Sequence, residues 1–297
     1  MPNLLTKVTE NVSSADNQQE TLQNPYYFTG FCCGEMSCSL IKASNYKRRK
    51  DGVITYTYVP DITISNADLD LLKQVNLKIG NQIGVITPIK GAYNLSFRGK
   101  TKTIKVLEFF DNYPPIVGDL MWSKLCLIKK ALYILNSRKS YLLNDSDKKK
   151  LELIRSQIKT MKHTGIAVSI NPNMESNFTT EEIGMFLSGV LDAEGSVGTK
   201  KNSTRYQPFI AIAMKERRVI EMFSKFLNCG QKIRYRKRDG TYHFEIGSKT
   251  QVLRVLNLFL MIYPSRLKKQ QFRMKELQWI LNDYTPGSLI NKGDDIV

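Results

Sequence analysis

The chain has 297 residues, is 42% hydrophobic and carries a formal net charge of +17. Its length suffices for two domains of ordinary size, and its apolar content argues against a wholly disordered protein. A cationic surplus of this size favours a polyanionic partner, with nucleic acid ahead of an anionic membrane surface. No apolar run approaches the roughly 20 residues that a membrane-spanning helix needs, so the sequence argues against a transmembrane protein.

The amino-terminal segment and the cysteines narrow the class further. The first 24 residues include acidic residues and lack a central apolar run, unlike a signal peptide, so we interpret residues 1–24 as a flexible polar tail. The five cysteines are odd in number and contain no CxxC pair. This pattern disfavours a disulfide framework and a zinc site.

The first structured unit is predicted over residues 25–137 with the order αββαββα. It starts with a short apolar helix that ends at Glu35. Asn66 is expected to cap the second helix. The remaining predicted elements, in chain order, are strands over 37–47 and 54–65, a helix over 67–79, a hairpin over 83–97, and helices over 104–110 and 120–135.

The same order recurs over residues 179–297, behind a Lys-rich linker at 138–178 that includes some helix at 147–160. Landmarks keep a nearly constant offset: Gly80 and Gly230 are 150 residues apart (230 − 80), as are Pro114 and Pro264 (264 − 114). The sequence therefore predicts an α+β fold of two pseudo-symmetric αββαββα halves. Each half is expected to contain a curved antiparallel sheet.

The helix that opens each half carries small residues four apart and ends on a glutamate. These residues are Gly30, Gly34 and Glu35 in the first helix and Gly189, Ala193 and Glu194 in the second. Small residues let helices approach closely, so a pseudo-dyad would bring the two carboxylates together. Like charges repel unless a cation lies between them, and hard oxygen ligands favour Mg²⁺ or Ca²⁺. Carboxylates holding such an ion beside a phosphate are suited to phosphodiester hydrolysis. The alternative is that both acids cap structure or pair with lysines.

These two helices resemble the paired motifs of the LAGLIDADG homing endonucleases in their single-chain form. Residues 187–195 match the nine-residue signature closely, and residues 28–36 match it loosely. Cys33 stands where the signature has an acid, and Met36 where it has glycine. The resemblance covers nearly all of residues 25–285. It implies a monomeric enzyme that cleaves both strands of a long double-stranded DNA site.

The resemblance also implies roles for individual residues. Glu35 and Glu194 would be the catalytic metal ligands, helped by the carbonyls of Gly34 and Ala193. Lys268 is the best match for a supporting catalytic lysine, with Lys269 and Arg266 as alternatives. The alternative interpretation of Lys268 is that it belongs to a basic helix start on the surface. The implied cofactor is Mg²⁺; Mn²⁺ is expected to substitute, and Ca²⁺ to bind without supporting cleavage. Members of the family are usually encoded within introns, which favours an organelle-encoded protein over a bacterial cytoplasmic one.

The strands carry the predicted DNA-binding residues. Period two places Lys232, Arg234, Arg236 and Arg238 on one strand face, suited to phosphates and guanine edges. The predicted set is Lys42, Thr55, Thr57, Asp61, Thr63 and Lys90 in the first half, and Lys200, Arg205, Lys232, Arg234, Arg236, Arg238 and His243 in the second. The alternative for these residues is a solvated strand face. Because the first-half set is less basic, we expect the two half-sites to be read differently.

Two other functions fit the same sequence. One is an intron maturase that binds its host intron RNA, and the other is a sequence-specific DNA-binding protein without cleavage. Both acids are present, and a basic surface suits DNA and RNA alike, so the residues alone do not separate these functions from a nuclease.

Overall fold

A computed structural model describes residues 24–44, 56–137, 143–172, 178–202, 205–229 and 232–282. Within them the predicted duplication is confirmed, because two four-stranded antiparallel sheets occur in the same topology. The first half contains helix α1 (Pro25–Glu35), strands β1 (Met36–Ser44) and β2 (Tyr56–Asn66), helix α2 (Leu69–Gly80), strands β3 (Val85–Ile89) and β4 (Ala92–Arg98), and helices α3 (Lys100–Asn112) and α4 (Asp119–Ser137).

Helix α5 (Asp145–Thr164) lies in the linker, and the second half follows it. The second half contains helix α6 (Thr180–Glu194), strands β5 (Gly195–Asn202) and β6 (Arg205–Met214), helix α7 (Arg217–Leu227), strands β7 (Arg234–Arg236) and β8 (Thr241–Ile246), helix α8 (Lys249–Asn257), a π-helical turn (Leu258–Ile262) and helix α9 (Lys268–Asn282). Among the described residues, no helix has both the length and the apolar composition needed to cross a membrane.

The two sheets have the strand orders β1-β2-β4-β3 and β5-β6-β8-β7. Successive side chains of a strand point to opposite faces, so each sheet has one covered and one open face. Ile62 and Ile64 of β2 and Ile210 and Ile212 of β6 are buried on the covered faces, where the helices pack. The open faces carry the polar and charged residues.

Helices α1 and α6 pack together at the centre of the molecule. A Cβ atom on Gly30 would collide with the carbonyl oxygen of Phe186, and one on Gly189 would collide with that of Tyr27. Tyr27 and Phe186 occupy equivalent positions in the two helices, as do the glycines, since each pair is 159 residues apart (186 − 27 and 189 − 30). The close approach predicted from the small residues is therefore confirmed, and it is reciprocal.

Several predicted boundaries were wrong. Asn66 does not cap α2: it is the last residue of β2, paired with Tyr93, and Asp68 caps the helix by accepting the Leu71 N–H at 3.0 Å. Helix α3 is longer than predicted, because Gly99 adopts φ +99° and turns the chain into it directly from β4. The linker helix extends over 20 residues, with Asn144 as its N-cap. Gly230, the expected counterpart of Gly80, lies outside the described residues.

Candidate functional site

Glu35 and Glu194 end the two central helices side by side. A Cβ atom on Gly34 would lie 2.7 Å from both Cβ of Ala193 and Cγ of Glu194, so the two helix ends are in contact. Burial, and then the charge of Glu35, raises the pKa of Glu194 to about 7. Burial also raises the pKa of Glu35, against the opposing effect of a hydrogen bond from Asn66. Each carboxylate also lies at the negative end of its helix, which further disfavours its ionised form.

The two helices end in the same way despite the difference between Met36 and Gly195. The backbone angles are φ −83°, ψ 132° at Met36 and φ −81°, ψ 151° at Gly195. In each case the backbone N–H of this residue donates to the carbonyl four residues earlier, at Cys32 and Leu191 respectively. Because neither position requires positive φ, methionine leaves the helix exit, and the path to Glu35, unchanged.

An open cleft of about 710 Å³ lies beside Glu35. Its lining brings acidic and basic residues of both halves together. These include Glu35, Asn66, Asp70, Asp192, Lys268 and Arg273. The Nζ atom of Lys268 is 2.5 Å from Oδ2 of Asp70, and this contact raises the pKa of Lys268 and lowers that of Asp70. The sequence-predicted Lys268 thus shares a cleft with Glu35 although the two are 233 residues apart (268 − 35).

The donor atoms at the helix ends fit a hard divalent cation. Two glutamates meet there, and Gly34 and Ala193 lie in the last helical turns, where carbonyl oxygens lack an N–H partner within the helix. All of these donors are oxygens, the type that Mg²⁺ and Ca²⁺ prefer. No group of three or more His, Cys, Asp or Glu residues with metal-binding geometry occurs among the described residues, so further ligands would come from carbonyls, water or a bound phosphate.

Asp192 ties the second motif helix to both halves. Its carboxylate accepts hydrogen bonds from the Tyr27 hydroxyl at 2.6 Å, the Arg266 N–H at 2.7 Å, the Leu267 N–H at 3.0 Å and the Ser265 hydroxyl. Only 4% of Asp192 is exposed. These four donors satisfy a buried carboxylate and fix the chain segment that leads into α9 and Lys268.

Cys33 occupies the equivalent position in α1, since it is 159 residues before Asp192 (192 − 33). Its Sγ lies 3.8 Å from the Val117 carbonyl oxygen and 3.3 Å from Sδ of Met121. A Cβ atom on Gly118 would lie 3.3 Å from both this sulfur and Oε2 of Glu216. The Cys33 thiol therefore faces a carbonyl oxygen and a carboxyl group, whereas the carboxylate of Asp192 faces backbone N–H groups.

In each half, the first residue of the closing helix forms an ion pair with a residue at the start of a helix in the other half. The signs of the charges are reversed between the two ion pairs. In one, Lys268 at the start of α9 pairs with Asp70 at the start of α2. In the other, Asp119 at the start of α4 pairs with Arg218 at the start of α7, with 2.7 Å between Oδ1 and Nη1. The helix that closes the first half thus begins with an acid, whereas the helix that closes the second half begins with Lys268.

Several predicted DNA-binding residues share the open face of the second sheet. Arg234 pairs with His243 in register, and Lys200 forms an ion pair with Glu245 on the neighbouring strands. Burial lowers the pKa of His243, and the cations on this face lower it further, whereas Glu245 raises it. Arg205 pairs in register with Asn202 at the edge of the same sheet.

The predicted four-cation strand was too long. Strand β7 contains only Arg234 and Arg236, whereas Lys232 precedes it and Arg238 lies in the turn after it. Arg236 also lies 3.3 Å from Oδ2 of Asp239 in that turn. The four cations remain at one end of the sheet, but their side chains do not form a single alternating face.

The open face of the first sheet carries Thr57, Asp61 and Thr63, all partly exposed, and Ser96 donates to Asp61 over 2.9 Å. Lys90 is exposed in the β3–β4 turn, and Thr55 lies outside the described residues. Lys42 is placed apart from this set. It is on the opposite face of the sheet, where its Nζ atom lies 2.6 Å from Oε1 of Glu152 in α5.

Comparisons with known proteins agree with this geometry. Residues 187–276 match the family model described as LAGLIDADG endonuclease. A comparison with curated proteins gave no match.

Similar solved structures cover most of the chain. A crystal structure of the LAGLIDADG homing endonuclease I-GzeII in complex with its DNA target has 19% identity and a TM-score of 0.67, over 87% of this chain and 90% of that one. The LAGLIDADG meganuclease I-CpaMI bound to uncleaved DNA has 20% identity and a TM-score of 0.67, over 87% and 92%. I-SmaMI, bound to uncleaved DNA target in the presence of calcium ions, has 18% identity and a TM-score of 0.65, over 87% and 92%. At these identities the likeness establishes the fold.

Proposed function

We propose that the chain is a site-specific DNA endonuclease, because residues 187–276 match the LAGLIDADG endonuclease model and the chain has the fold of the LAGLIDADG homing endonucleases. The observation that carries the proposal is the contact between the ends of α1 and α6, which brings Glu35 and Glu194 together beside an open cleft. Burial of two mutually repelling carboxylates costs stability, and a divalent cation between them would offset that cost.

The proposed cofactor is Mg²⁺, with Glu35, Glu194 and the carbonyls of Gly34 and Ala193 as the residues that would hold it. When bound, such an ion supplies Lewis acidity at a phosphate and lowers the pKa of coordinated water. The chain itself contributes positioning. Contact between the two helix ends sets the separation of the carboxylates, and the Asp192 hydrogen bonds hold the segment that carries Lys268.

Lys268 is proposed to act at the scissile phosphate. Its ammonium group lies at the edge of the cleft, and its side chain is 72% exposed, so it is accessible to an anion there. In the absence of DNA it pairs with Asp70. A phosphate would compete for this cation, because an exposed ion pair contributes little free energy. The first half has Asp119 at this place, so no equivalent lysine acts from that position.

The proposed partner is double-stranded DNA, bound along the open faces of the two sheets. Support comes from the net charge of +17 and from the basic residues Lys200, Arg234 and Arg236 on the second sheet. Guanidinium groups suit phosphates and guanine edges. Cleavage as a monomer is proposed because each half supplies one glutamate to the same site.

We further propose that the reading frame lies within an intron, and the test is cleavage of a duplex that joins the exons on either side of it, with and without Mg²⁺. Glu194→Gln is the matched variant, because it removes the charge and retains the size of the side chain. We expect both strands to be cut by the wild-type protein only with Mg²⁺, and not by Glu194→Gln. Tight binding of this duplex without cleavage would overturn the nuclease assignment in favour of a DNA-binding protein. Preferential binding of the spliced-out intron RNA, with no cleavage, would favour a maturase.

A further inference from the structure

Asn66 connects the last residue of α1 to the start of α2. Its Nδ2 donates to Oε1 of Glu35 at 3.0 Å, and its Oδ1 accepts the backbone N–H of Asp68 at 2.9 Å. Asp68 in turn caps α2 and accepts the backbone N–H of Lys268 through Oδ2 at 3.2 Å. A chain of hydrogen bonds therefore runs from the glutamate of the first half to the first residue of α9.

This chain determines which way the Asn66 amide faces. A backbone N–H can only donate, so the group that faces Asp68 must be the oxygen of the amide. The NH₂ group is then directed at Glu35, and it can only donate there. The contact consequently restrains one carboxylate oxygen of Glu35 and leaves Oε2 without this partner.

The second half has a different residue at the equivalent position. Asn66 pairs with Tyr93 in the first sheet, and Met214 pairs with Tyr242 in the second. A thioether cannot donate a hydrogen bond. Within the part of the chain that the structure describes, no hydrogen bond to the Glu194 carboxylate is found, so the two glutamates are held differently.

We propose that Asn66 is a positioning residue that orients the Glu35 carboxylate for the divalent cation of the cleft, and that Met214 gives Glu194 no such support. The proposal rests on the proposed function, since it takes Glu35 as a metal ligand. A free glutamate side chain loses conformational entropy when it is ordered. A hydrogen bond that orders it beforehand therefore strengthens metal binding, and losing such a partner typically weakens binding about 10- to 100-fold.

The test exchanges the two equivalent residues. Asn66→Met gives the first half the residue of the second, and Met214→Asn is the reciprocal variant. The probe is Mn²⁺, with the free ion measured by electron paramagnetic resonance in the presence of protein bound to a mixed-sequence duplex of about 30 base pairs. Such a duplex requires no knowledge of the target. Glu35→Gln is the reference for loss of the ligand itself.

We expect Asn66→Met to weaken Mn²⁺ binding about 10- to 100-fold, with metal-free DNA affinity and thermal unfolding close to wild type. Met214→Asn should bind Mn²⁺ at least as tightly as the wild type. An Asn66→Met affinity within twofold of wild type would overturn the proposal, as would wild-type binding that does not depend on Glu35. Because Mn²⁺ affinity is read separately from cleavage, failure of the endonuclease assignment would be recognised independently.

A second variant covers the case in which Asn66→Met does not fold. Asn66→Ser retains an oxygen that can accept the Asp68 N–H in a local turn, but its side chain is too short to reach Glu35. It removes the contact with the glutamate and keeps the support of α2. The same loss of Mn²⁺ affinity is expected, and wild-type affinity in this variant would overturn the proposal.

Discussion

Gly189 lies against the carbonyl oxygen of Tyr27, so that the backbones of the two motif helices touch without an intervening side chain. Gly189→Ala would force the helices apart, and we expect it to lower the free energy of unfolding by about 2 kcal/mol or more. Gly30→Ala should behave in the same way, because Gly30 meets the carbonyl of Phe186. Urea unfolding monitored by circular dichroism measures the change.

Gly198→Ala is the control for that experiment. A Cβ atom there would lie 3.7 Å from the Phe209 ring, an ordinary contact. Its unfolding midpoint should stay near that of the wild type. Equal stability of the Gly189→Ala and Gly198→Ala variants would mean that the helices can separate slightly without cost.

Restoring the signature acid in the first motif should destabilise the protein. Cys33→Asp would place a carboxylate beside the Val117 carbonyl and the buried carboxyl of Glu216. Within the described part of the chain no N–H group donates to the Cys33 sulfur as several do to Asp192, and the charge of Lys124 offsets only part of the cost, so we expect a loss of about 2 kcal/mol in urea unfolding. Cys33→Ala, which adds no charge, should cost less. A Cys33→Asp variant as stable as the wild type would show that the surrounding loop can turn an N–H group inward.

The paired glutamates should make the metal-free protein less stable as pH rises. The folded-state pKa of Glu194 is raised to about 7 from 4.5, so the folded protein binds this proton more tightly than the unfolded chain. Stability is therefore greatest below about pH 4.5 with respect to this group and decreases as pH rises to about 7. At pH 8 in EDTA, Glu194→Gln should be about 1–3 kcal/mol more stable than the wild type.

The difference should vanish near pH 4, where the wild-type carboxyl is also neutral. Glu276→Gln, at an exposed position of α9, serves as the control and should not change stability at either pH. A Glu194→Gln variant that is less stable than the wild type at pH 8 would contradict the inferred cost of the pair.

Lys268→Ala should slow cleavage without weakening binding. We expect the single-turnover rate at saturating DNA to decrease roughly 100-fold, with the Kd within threefold of wild type. Lys275→Ala, on an exposed part of the same helix, is the control for charge loss and should retain the rate. Asp70→Asn, which frees the ammonium group, should not reproduce the defect. If it did, the ion pair rather than the lysine would be required.

Removing the basic residues of the second sheet should reduce the salt dependence of DNA binding. Each phosphate contact adds about 0.9 to the slope of log affinity against log salt, so Arg234→Gln and Arg236→Gln together should lower the slope by up to about 2. Lys105→Gln, on a helix behind the first sheet, should leave the slope unchanged. An unaltered slope in the double variant would mean that these arginines do not contact phosphates. If the variant also preferred a different DNA sequence, the arginines would be assigned to base contacts.

The repeat, the element order and the two terminal glutamates could all be predicted, because they depend on local periodicity and on landmarks at a constant spacing. The contacts of Asp192 with Arg266 and Leu267 could not, since they join residues more than 70 positions apart. Asn66 was predicted only as a helix cap. Nothing in its spacing indicates that it contacts Glu35, because that contact depends on where the end of β2 meets the end of α1.

The DNA-binding set illustrates the same limit. Period two correctly separated Thr57, Asp61 and Thr63 from the buried side of β2. It could not indicate that α5 covers the face on which Lys42 lies, because that packing is determined by the linker and not by the strand.

The opposite polarity of the Lys268–Asp70 and Asp119–Arg218 ion pairs has a consequence for the symmetry of the molecule. Two identical subunits related by a true dyad must have the same residue at equivalent positions, so a homodimer could never place lysine at one and aspartate at the other. A single chain that contains both halves is free of this restriction, because each half has residues of its own. The two ion pairs can therefore differ in polarity within one molecule.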